Sequence, residues 1–297
     1  MSRGDRVAAT GILYTSMRDN YGEHGVEEQT KAGFAKYYRK VGSTYRNPHY
    51  PGIRLSFFSW LNKWWQMEHE AITKLSADQL MLFDMACGRC NLNLGEATLA
   101  FVEWCRAGKK LYHEKLSQAQ SSPQSEEPSK PSRAVVPPRK KALTPLALGP
   151  EFPKPQVVAA DPFTAAAFNE RTGFPCAELS FEAIAEGSMP DQAINIADGS
   201  LKSIAAQEPE HREETVQGDH LCQVEMVVCS FAMHLIDNPS SLFSLLWELS
   251  SKARWLIILA PHKKPEIKSG WGWNKWDIDT WKSCEMTTST GELLYDR

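Results

Sequence analysis

The sequence predicts an α/β protein built on a doubly wound, mainly parallel sheet. Short apolar runs alternate with segments of helical periodicity, and this is the pattern of β-α-β units with parallel strand pairing. Acidic and small residues follow several of the apolar runs, at the strand ends where ligands bind in such sheets. A length of 297 residues with 42% hydrophobic content is sufficient for a core of this kind.

The first 75 residues are polar and aromatic and are predicted to form an N-terminal helical cap, 1–75. Helices are expected at 26–41 and 54–75. In the second helix, apolar side chains recur at helical spacing and indicate a packing face: Leu55, Phe58, Leu61, Trp65, Ile72 and Leu75. The loop between the helices, GSTYRNPHYPG, contains two X-Pro steps that enforce an extended or turning backbone.

Residues 76–297 are expected to form the main domain, with two interruptions. Residues 117–155 hold nine of the eighteen prolines and show little periodicity, so we predict a disordered insertion. Residues 187–221 are polar and acidic and are predicted to form a loop. Removing these two segments leaves a regular alternation of predicted strands and helices.

The alternation runs through the rest of the domain. The predicted elements, in chain order, are a strand LMLFDMA, a helix GEATLAFVEWCRAG, a strand QVVAADPFT, a helix AAAFNERTG closed by Gly173, a short strand and turn AELSFEAIA, a strand VEMVVCSFAMHL, a helix PSSLFSLLWELSSKA and a strand RWLIILAPHKKP. Their carboxyl ends carry a series of candidate ligand-binding residues: Asp84, Gly88, Gly95, Asp161, Glu182 and the stretch from Cys229 to His234. A glycine turn followed by an acid after the next strand indicates a nucleoside site. The full GxGxxG pattern of pyrophosphate sites is absent.

The segments FDMACG, AADPFT, LSFEAIAEG, VEMVVCSFAMHLI and WLIILAPHKKP together resemble the class I S-adenosylmethionine-dependent methyltransferases. They look most like a group of methyltransferase-domain proteins in which a YRNPH loop, a DPFTAAAF motif and an APHKKP segment occur together. The resemblance covers roughly residues 10–60, 80–110, 156–187 and 222–295. It implies a Rossmann-like sheet of the seven-stranded type, with S-adenosyl-L-methionine as the cofactor.

The resemblance also implies which residues bind the cofactor. By the family pattern, the methionine end of the cofactor is bound by Asp84, Ala86, Gly88 and Gly95, and the ribose is bound by Asp161. The adenine faces contact Pro162 and Phe163, and the adenine amino group lies near Glu182 and Ala183. The residues beneath the sulfonium are Cys229, Ser230 and Phe231. Ala183 stands where the family pattern has an acid. Adenine recognition is therefore expected to depend on Glu182.

The first motif is interrupted. The family pattern runs directly from D-x-A-C-G-x into G-E-x-T-L, whereas CNLNL separates DMACGR from GEATLAF here. Two interpretations stay open: a natural loop variant that keeps its geometry, and a gene-model or splicing irregularity that impairs the loop. Cys87 and Cys90 also form a CxxC pair, but the other five cysteines supply no second pair. We therefore expect no metal.

Histidines are the candidate general bases, because neutral imidazole accepts a proton near pH 7. The resemblance puts His234 just beyond the fourth strand, on the substrate side, so it is the first candidate. His262 in APHKKP is the second and His49 in YRNPH is the third. A structural role is the alternative for each of them.

Four of the ten tryptophans lie in the segment GWGWNKWDIDTW, residues 270–281. Trp271 and Trp273, together with Tyr45, Arg46 and His49, are predicted to form a lid over substrate and cofactor. Packing of these tryptophans along the edge of the sheet is the alternative.

The resemblance thus implies a methyltransferase with an unidentified, small-molecule acceptor. The fourth strand lacks the Asp-Pro-Pro-Tyr type of motif that holds an exocyclic base amine, which favours a small acceptor. Two alternatives remain: a catalytically impaired relative with a partner-binding role, and an RNA methyltransferase that uses PPRKK and PHKKP as phosphate contacts.

Composition narrows the cellular setting. The net charge of −3 gives no general attraction to nucleic acid, and no run approaches eighteen apolar residues. Seven cysteines without a regular framework indicate a reducing compartment. We expect a monomeric cytoplasmic protein without a membrane or nucleic acid partner, and PPRKK leaves a nuclear location open.

Overall fold

The computed structural model describes residues 50–74, 79–86, 95–121, 144–190, 194–196, 224–233, 236, 238–259, 265–286 and 293–296. The elements in these residues are α1 (Tyr50–Lys74), β1 (Gln79–Met85), α2 (Glu96–Ser121), β2 (Lys154–Ala160), α3 (Ala165–Thr172), α4 (Phe181–Ala185), β3 (Ile194–Asn195), β4 (Val224–Ser230), α5 (Pro239–Lys252), β5 (Ala253–Leu259), β6 (Asn274–Asp277), β7 (Lys282–Cys284) and β8 (Leu293–Asp296). The helix predicted at 26–41 and most of the loop predicted at 187–221 lie outside these residues.

The strands of the described residues form one sheet in the order β3-β2-β1-β4-β5-β8-β6-β7. Strands β2, β1, β4 and β5 are parallel to one another, so the predicted α/β architecture with a parallel sheet is confirmed. β3 is antiparallel to β2, and β8 is antiparallel to β5 and β6. Among the described residues the sheet has eight strands, whereas the resemblance implies seven, because the short strand β7 extends the edge beyond β6.

The sheet buries a core on each face, because successive side chains of a strand point to opposite sides. In β1, Leu82 joins the cluster that contains α1 and α2, whereas Phe83 joins the cluster that contains α5. Phe168 of α3 belongs to the first cluster and Ile184 of α4 to the second. Helices therefore cover both faces, as in a doubly wound sheet.

Helix α1 is part of the same core as the sheet. The apolar stripe predicted for it is buried at Phe58, Leu61, Trp65 and Ile72, whereas Leu55 is exposed and Leu75 lies outside the described residues. The ring of Trp60 also packs edge-on against Trp255 of β5, at a centroid distance of 6.4 Å. No helix in the described part of the chain has both the length and the apolar character needed to span a membrane.

The ordered structure extends into both ends of the segment predicted to be disordered, 117–155. Helix α2 continues to Ser121, and the chain is described again from Thr144, with Leu148 and Phe152 buried. The Asn62 side chain fixes this returning segment, because its Oδ1 accepts from Leu146 N at 3.1 Å and its Nδ2 donates to Thr144 O at 3.0 Å. The prediction of disorder was based on amino-acid composition, which gives no information about these long-range contacts.

The prediction of a short strand at AELSFEAIA was wrong for most of the segment. Ala177 makes a single parallel bridge to Ala160, and the chain then forms the helix α4. Ser180 caps this helix, because its Oγ accepts a hydrogen bond from Ala183 N at 3.2 Å. The serine cap was the local signal that the sequence interpretation missed.

Arg254, near the start of β5, connects this strand to α1 and β4. Its guanidinium lies 2.5 Å from Glu68 Oε2 and 3.6 Å from Glu225 Oε1. Indole N–H groups donate to the same carboxylates, from Trp64 to Glu225 at 3.2 Å and from Trp281 to Glu68 at 2.8 Å. Burial raises the pKa of Glu225, while the charge of Arg254 opposes that shift.

Replacing Arg254 by methionine is expected to lower the free energy of unfolding by about 2 kcal/mol, because two partly buried carboxylates lose their cation. The matched control is Arg54→Met, which removes an ion pair with the exposed Glu103 and should cost less than about 1 kcal/mol. Urea denaturation of both variants gives the comparison. Equal losses would contradict the importance of the Arg254 network.

Candidate functional site

A cavity of about 330 Å³ lies where the parallel strands end, at their carboxyl edge. Its described lining comes from the turns after β1 and β2, from the α4 segment, and from the start of α5. These residues are Ala86, Pro162, Phe163, Leu179, Ser180, Phe181, Glu182, Ile184, Ile236, Asn238 and Ser241. An apolar wall with a few polar groups is typical of small-molecule sites.

The end of β1 contributes Ala86 to the cavity wall and buries Asp84 behind it. Ala86 has a positive φ of 56°, and its N–H donates to Ala160 O at 2.8 Å. Asp84 Oδ2 accepts from Thr98 N at 3.1 Å and from Thr98 Oγ1 at 2.6 Å. Burial raises the pKa of Asp84 to about 6, although the Thr98 hydrogen bonds act in the opposite direction.

Gly95 packs against α3 and is not among the residues that line the cavity. It has a φ of 72°, and a Cβ at this position would lie 2.6 Å from side-chain carbons of both Phe168 and Thr172. The structure therefore gives Gly95 a close-packing role against α3. The cofactor contact predicted for it stays a prediction. A pattern of glycine spacing could not distinguish these roles, because the neighbour that excludes a side chain lies more than seventy residues away in the chain.

The turn after β2 places Pro162 and Phe163 in the cavity wall, and Asp161 is fully buried beneath them. Asp161 Oδ1 accepts backbone N–H groups from Phe163 at 2.9 Å and Thr164 at 2.8 Å. Its own N–H donates to Ala177 O at 2.9 Å. Asp161 thus shapes the turn that presents Pro162 and Phe163, and it does not itself line the cavity.

The predicted adenine residues Glu182 and Ala183 are placed differently. Glu182 lines the cavity and is the one titratable side chain among the described lining residues. Ala183 is absent from the described lining, and its N–H serves the Ser180 cap. Phe181 and Ile184 both line the cavity because residues three apart lie on the same side of a helix. The sequence analysis predicted a strand here and therefore did not select these two residues.

The end of β4 carries three of the predicted site residues, Cys229, Ser230 and Phe231. Cys229 is fully buried in the α5 cluster, and Phe231 has a positive φ of 56° with its N–H donating to Leu259 O at 2.7 Å. Within the described residues the buried hydroxyl of Ser230 has no hydrogen-bond partner. These three residues, predicted beneath the sulfonium, are not part of the described lining.

The start of α5 completes the cavity with residues that the sequence interpretation missed, Asn238 and Ser241. Asn238 caps the helix, because its Oδ1 accepts from Ser240 N at 2.9 Å, and Pro239 occupies the first turn. The Asn-Pro step could have indicated these residues, because it marks the start of a helix. The helix that follows β4 starts at the carboxyl edge of the sheet, where the cavity lies.

Trp271 and Trp273, which were predicted to form part of a lid, both contact α5. Trp273 is buried, and its Nε1 donates to Leu246 O at 2.8 Å. Trp271 lies edge-on to Phe243 of α5, at a centroid distance of 5.8 Å. Neither residue is among those that line the described cavity. Both contacts are with α5 rather than with the edge of the sheet, and the lid over substrate and cofactor stays a prediction.

Six predicted site residues lie outside the described part of the chain: Tyr45, Arg46, His49, Gly88, His234 and His262. The same holds for Cys87 and the CNLNL segment. Their roles stay predictions from the sequence.

Comparison of the sequence with known proteins shows a relative in Schizosaccharomyces pombe. No family model matches the chain, and no solved structure gives a significant match. The chain is 34% identical over 267 residues to a Schizosaccharomyces pombe protein described as "Uncharacterized protein C17A5.05c", and the alignment covers 90% of this chain and 83% of that protein. The chain therefore belongs to the protein family of C17A5.05c.

Proposed function

We propose that this protein is an S-adenosylmethionine-dependent methyltransferase with a small-molecule acceptor. The observation that carries the proposal is the convergence of three motif-bearing segments on one cavity. Ala86 of FDMACG, Pro162 and Phe163 of AADPFT, and Glu182 of LSFEAIAEG all line it. These motifs are the ones on which the resemblance to class I methyltransferases rests.

The cavity suits the adenosine part of the cofactor. Its volume of about 330 Å³ is at the small end of the range for ligand pockets, which fits a nucleoside-sized group. Its lining combines aromatic and aliphatic surface with a carboxylate, an amide and two hydroxyls. Such a set can enclose a planar base and bond to its polar edge.

The sheet supports the same proposal. Four parallel strands followed by the antiparallel β8 are compatible with a Rossmann-like fold. The cavity lies at the carboxyl ends of these strands, where ligands bind in sheets of this kind.

Individual residues would hold the cofactor in distinct ways. Phe163 and Pro162 would cover the base, and Glu182 would accept a hydrogen bond from its amino group. When bound, the cofactor supplies a methyl group activated by a positively charged sulfur. The chain would contribute alignment of the acceptor and exclusion of water, and alignment can lower a barrier by about 7 to 11 kcal/mol in favourable cases.

Isothermal titration with S-adenosylmethionine tests this function directly. Binding to the wild-type protein is expected, and absence of binding at millimolar cofactor would contradict the proposal. A variant that lacks residues 90–94 tests the interrupted loop. Tighter binding by that variant would support impairment by CNLNL, and equal binding would support a natural loop.

Replacing Phe163 by alanine is expected to weaken binding of the cofactor about tenfold, because the base loses an aromatic face worth about 1 kcal/mol beyond its buried area. The control is Phe243→Ala, which removes a phenylalanine from the exposed side of α5. Its affinity should equal that of the wild type. Similar losses in both variants would point to general destabilisation.

A further inference from the structure

The segment that carries α4 forms one wall of the cavity. Five of the eleven described lining residues belong to it: Leu179, Ser180, Phe181, Glu182 and Ile184. The helix itself has five residues, and so short a helix is not stable on its own. The position of this wall therefore depends on its packing against α5 and on how its two ends are fixed.

The first end is fixed by the sheet. Ala177 N donates to Ala159 O at 2.9 Å, and Ala177 O accepts from Asp161 N at 2.9 Å. Ser180 then caps α4 through its side chain. These bonds connect the start of the wall to the end of β2.

Helix α4 packs on α5 through the buried Ile184, which shares a core cluster with Leu245 and Leu249, and the chain just after α4 is bonded to α5 by one lysine. Lys252 Nζ donates to Gly187 O at 2.7 Å and lies 2.8 Å from Glu248 Oε1. Both side chains are about three-quarters buried, with 22% and 27% of their surface exposed. Because Glu248 precedes Lys252 by one helical turn, their ion pair holds the ammonium in place over the Gly187 carbonyl.

Gly187 makes this contact specific. Its φ of 102° is a conformation that residues with a side chain rarely adopt, and it follows directly on the C-cap of α4. The carbonyl that it presents is at the negative end of the short helix, where a cation is favourable. Backbone bonds within the segment, such as Ser188 N to Ala183 O at 3.0 Å, give it no connection to α5.

We propose that Lys252 is a positioning residue that holds the α4 wall against α5 and thereby sets the width of the cofactor cavity. This inference rests on the proposed function for its ligand, but its structural part can be measured without one. Lys252 does not line the cavity, so it acts through Gly187 and the α4 segment.

The test uses Lys252→Met, which keeps most of the aliphatic stem and removes the ammonium. Hydrogen–deuterium exchange should be faster in peptides that cover residues 179–189, while exchange in the strands stays unchanged. The affinity for S-adenosylmethionine should fall about fivefold or more, because a wall displaced by a fraction of an ångström loses its fit to the ligand. Lys252→Arg should restore both values, since a guanidinium can also bond to the carbonyl.

The matched control is Lys74→Met. Lys74 also ends a helix and pairs with a glutamate one turn earlier, Glu70 at 3.7 Å, but α1 has no part in the described lining. This variant should leave both exchange in 179–189 and affinity unchanged.

The outcomes separate the two proposals. Unchanged exchange in Lys252→Met would overturn the positioning role whether or not the cofactor binds. Faster exchange with unchanged affinity would also overturn it. Faster exchange in a protein whose wild type does not bind the cofactor would support the connection between Lys252 and the wall and would reject the proposed function.

Discussion

Replacing Gly95 by alanine is expected to destabilise the fold by about 3 kcal/mol. Part of this cost is the positive φ of 72°, which an alanine adopts at about 1 kcal/mol. The rest is overpacking, because the new methyl group would lie 2.6 Å from Phe168 and from Thr172, and such clashes typically cost about 1 to 3 kcal/mol.

The neighbours of Gly95 cannot move away without further loss. Phe168 and Thr172 are fully buried. Thr172 Oγ1 also donates to Phe168 O at 2.8 Å and accepts from Phe174 N at 3.1 Å, so its rotamer is fixed. The clash is therefore expected to persist in the folded variant.

Two glycines provide controls for the separate costs. Gly270 has a φ of 83° with no atom near its missing Cβ, so Gly270→Ala should show the backbone cost alone. Gly52 lies in α1 with open space around it, so Gly52→Ala should be neutral or stabilising. Urea denaturation of the three variants measures these differences. If Gly95→Ala loses no more stability than Gly270→Ala, the close packing against α3 is not present.

A double variant tests the steric cause. Thr172→Ser removes the methyl carbon that meets the new side chain and keeps the hydroxyl. It should therefore recover part of the stability lost in Gly95→Ala, as a coupling energy in a double-mutant cycle. Strict additivity of the two changes would contradict the assignment.

Replacing Asp84 by asparagine is expected to stabilise the protein by about 2 to 3 kcal/mol at pH 8. Asp84 is buried, and its pKa is raised from 3.8 to about 6, so the ionised carboxylate costs folding energy above pH 6. Asparagine has the same shape and is neutral. Its Oδ1 can accept both hydrogen bonds from Thr98.

The sign of the pH dependence follows from the raised pKa. The folded state binds the Asp84 proton more tightly than the unfolded state, so this group contributes stability at low pH that is lost as the pH rises through about 6. The advantage of Asp84→Asn should therefore shrink as the pH is lowered from 8 to 5. Denaturation curves at pH 8, 6 and 5 measure the trend.

Asp277→Asn is the control with the opposite sign. Hydrogen bonds from the backbone and side chain of Thr280 lower the pKa of Asp277, so its ionised form favours folding above the normal pKa and the variant should not gain stability. An Asp84→Asn protein that is no more stable than wild type at pH 8 would contradict a charged, desolvated Asp84.

If the proposed function holds, the Asp84→Asn variant should also bind the positively charged cofactor less tightly, as expected when a destabilising charge is retained for function.

The main elements of the fold could be predicted because their signals are local. Apolar runs identified β1, β2, β4 and β5, and the Gly173 C-cap of α3 is left-handed as expected, with φ of 75°. The turns after β1 and β2 were predicted to contribute to a site, and Ala86, Pro162 and Phe163 do line one cavity. Adjacent parallel strands bring their carboxyl ends together, so the order of motifs was sufficient for that inference.

Other features depend on residues far apart in the chain. Gly95 contacts α3, Asp161 is buried under its own turn, and Trp273 bonds to α5. A sequence pattern does not show which of two neighbouring side chains faces a ligand and which faces the core. For the same reason the pattern at 177–185 suggested a strand, although the segment forms a helix held between β2 and α5.

The amino-acid sequence was therefore enough to establish the fold class, the four parallel strands and the edge of the sheet where the cavity lies, because these follow from local periodicity and turn residues. It did not predict β3, β6 or β7. Three-dimensional packing was needed to assign the side chains. It separated the cavity wall from the buried supports, Asp84 and Asp161, and it connected Lys252 to Gly187 across 65 positions of the chain. Burial and long-range contacts set these roles, and they exist only once the chain has folded.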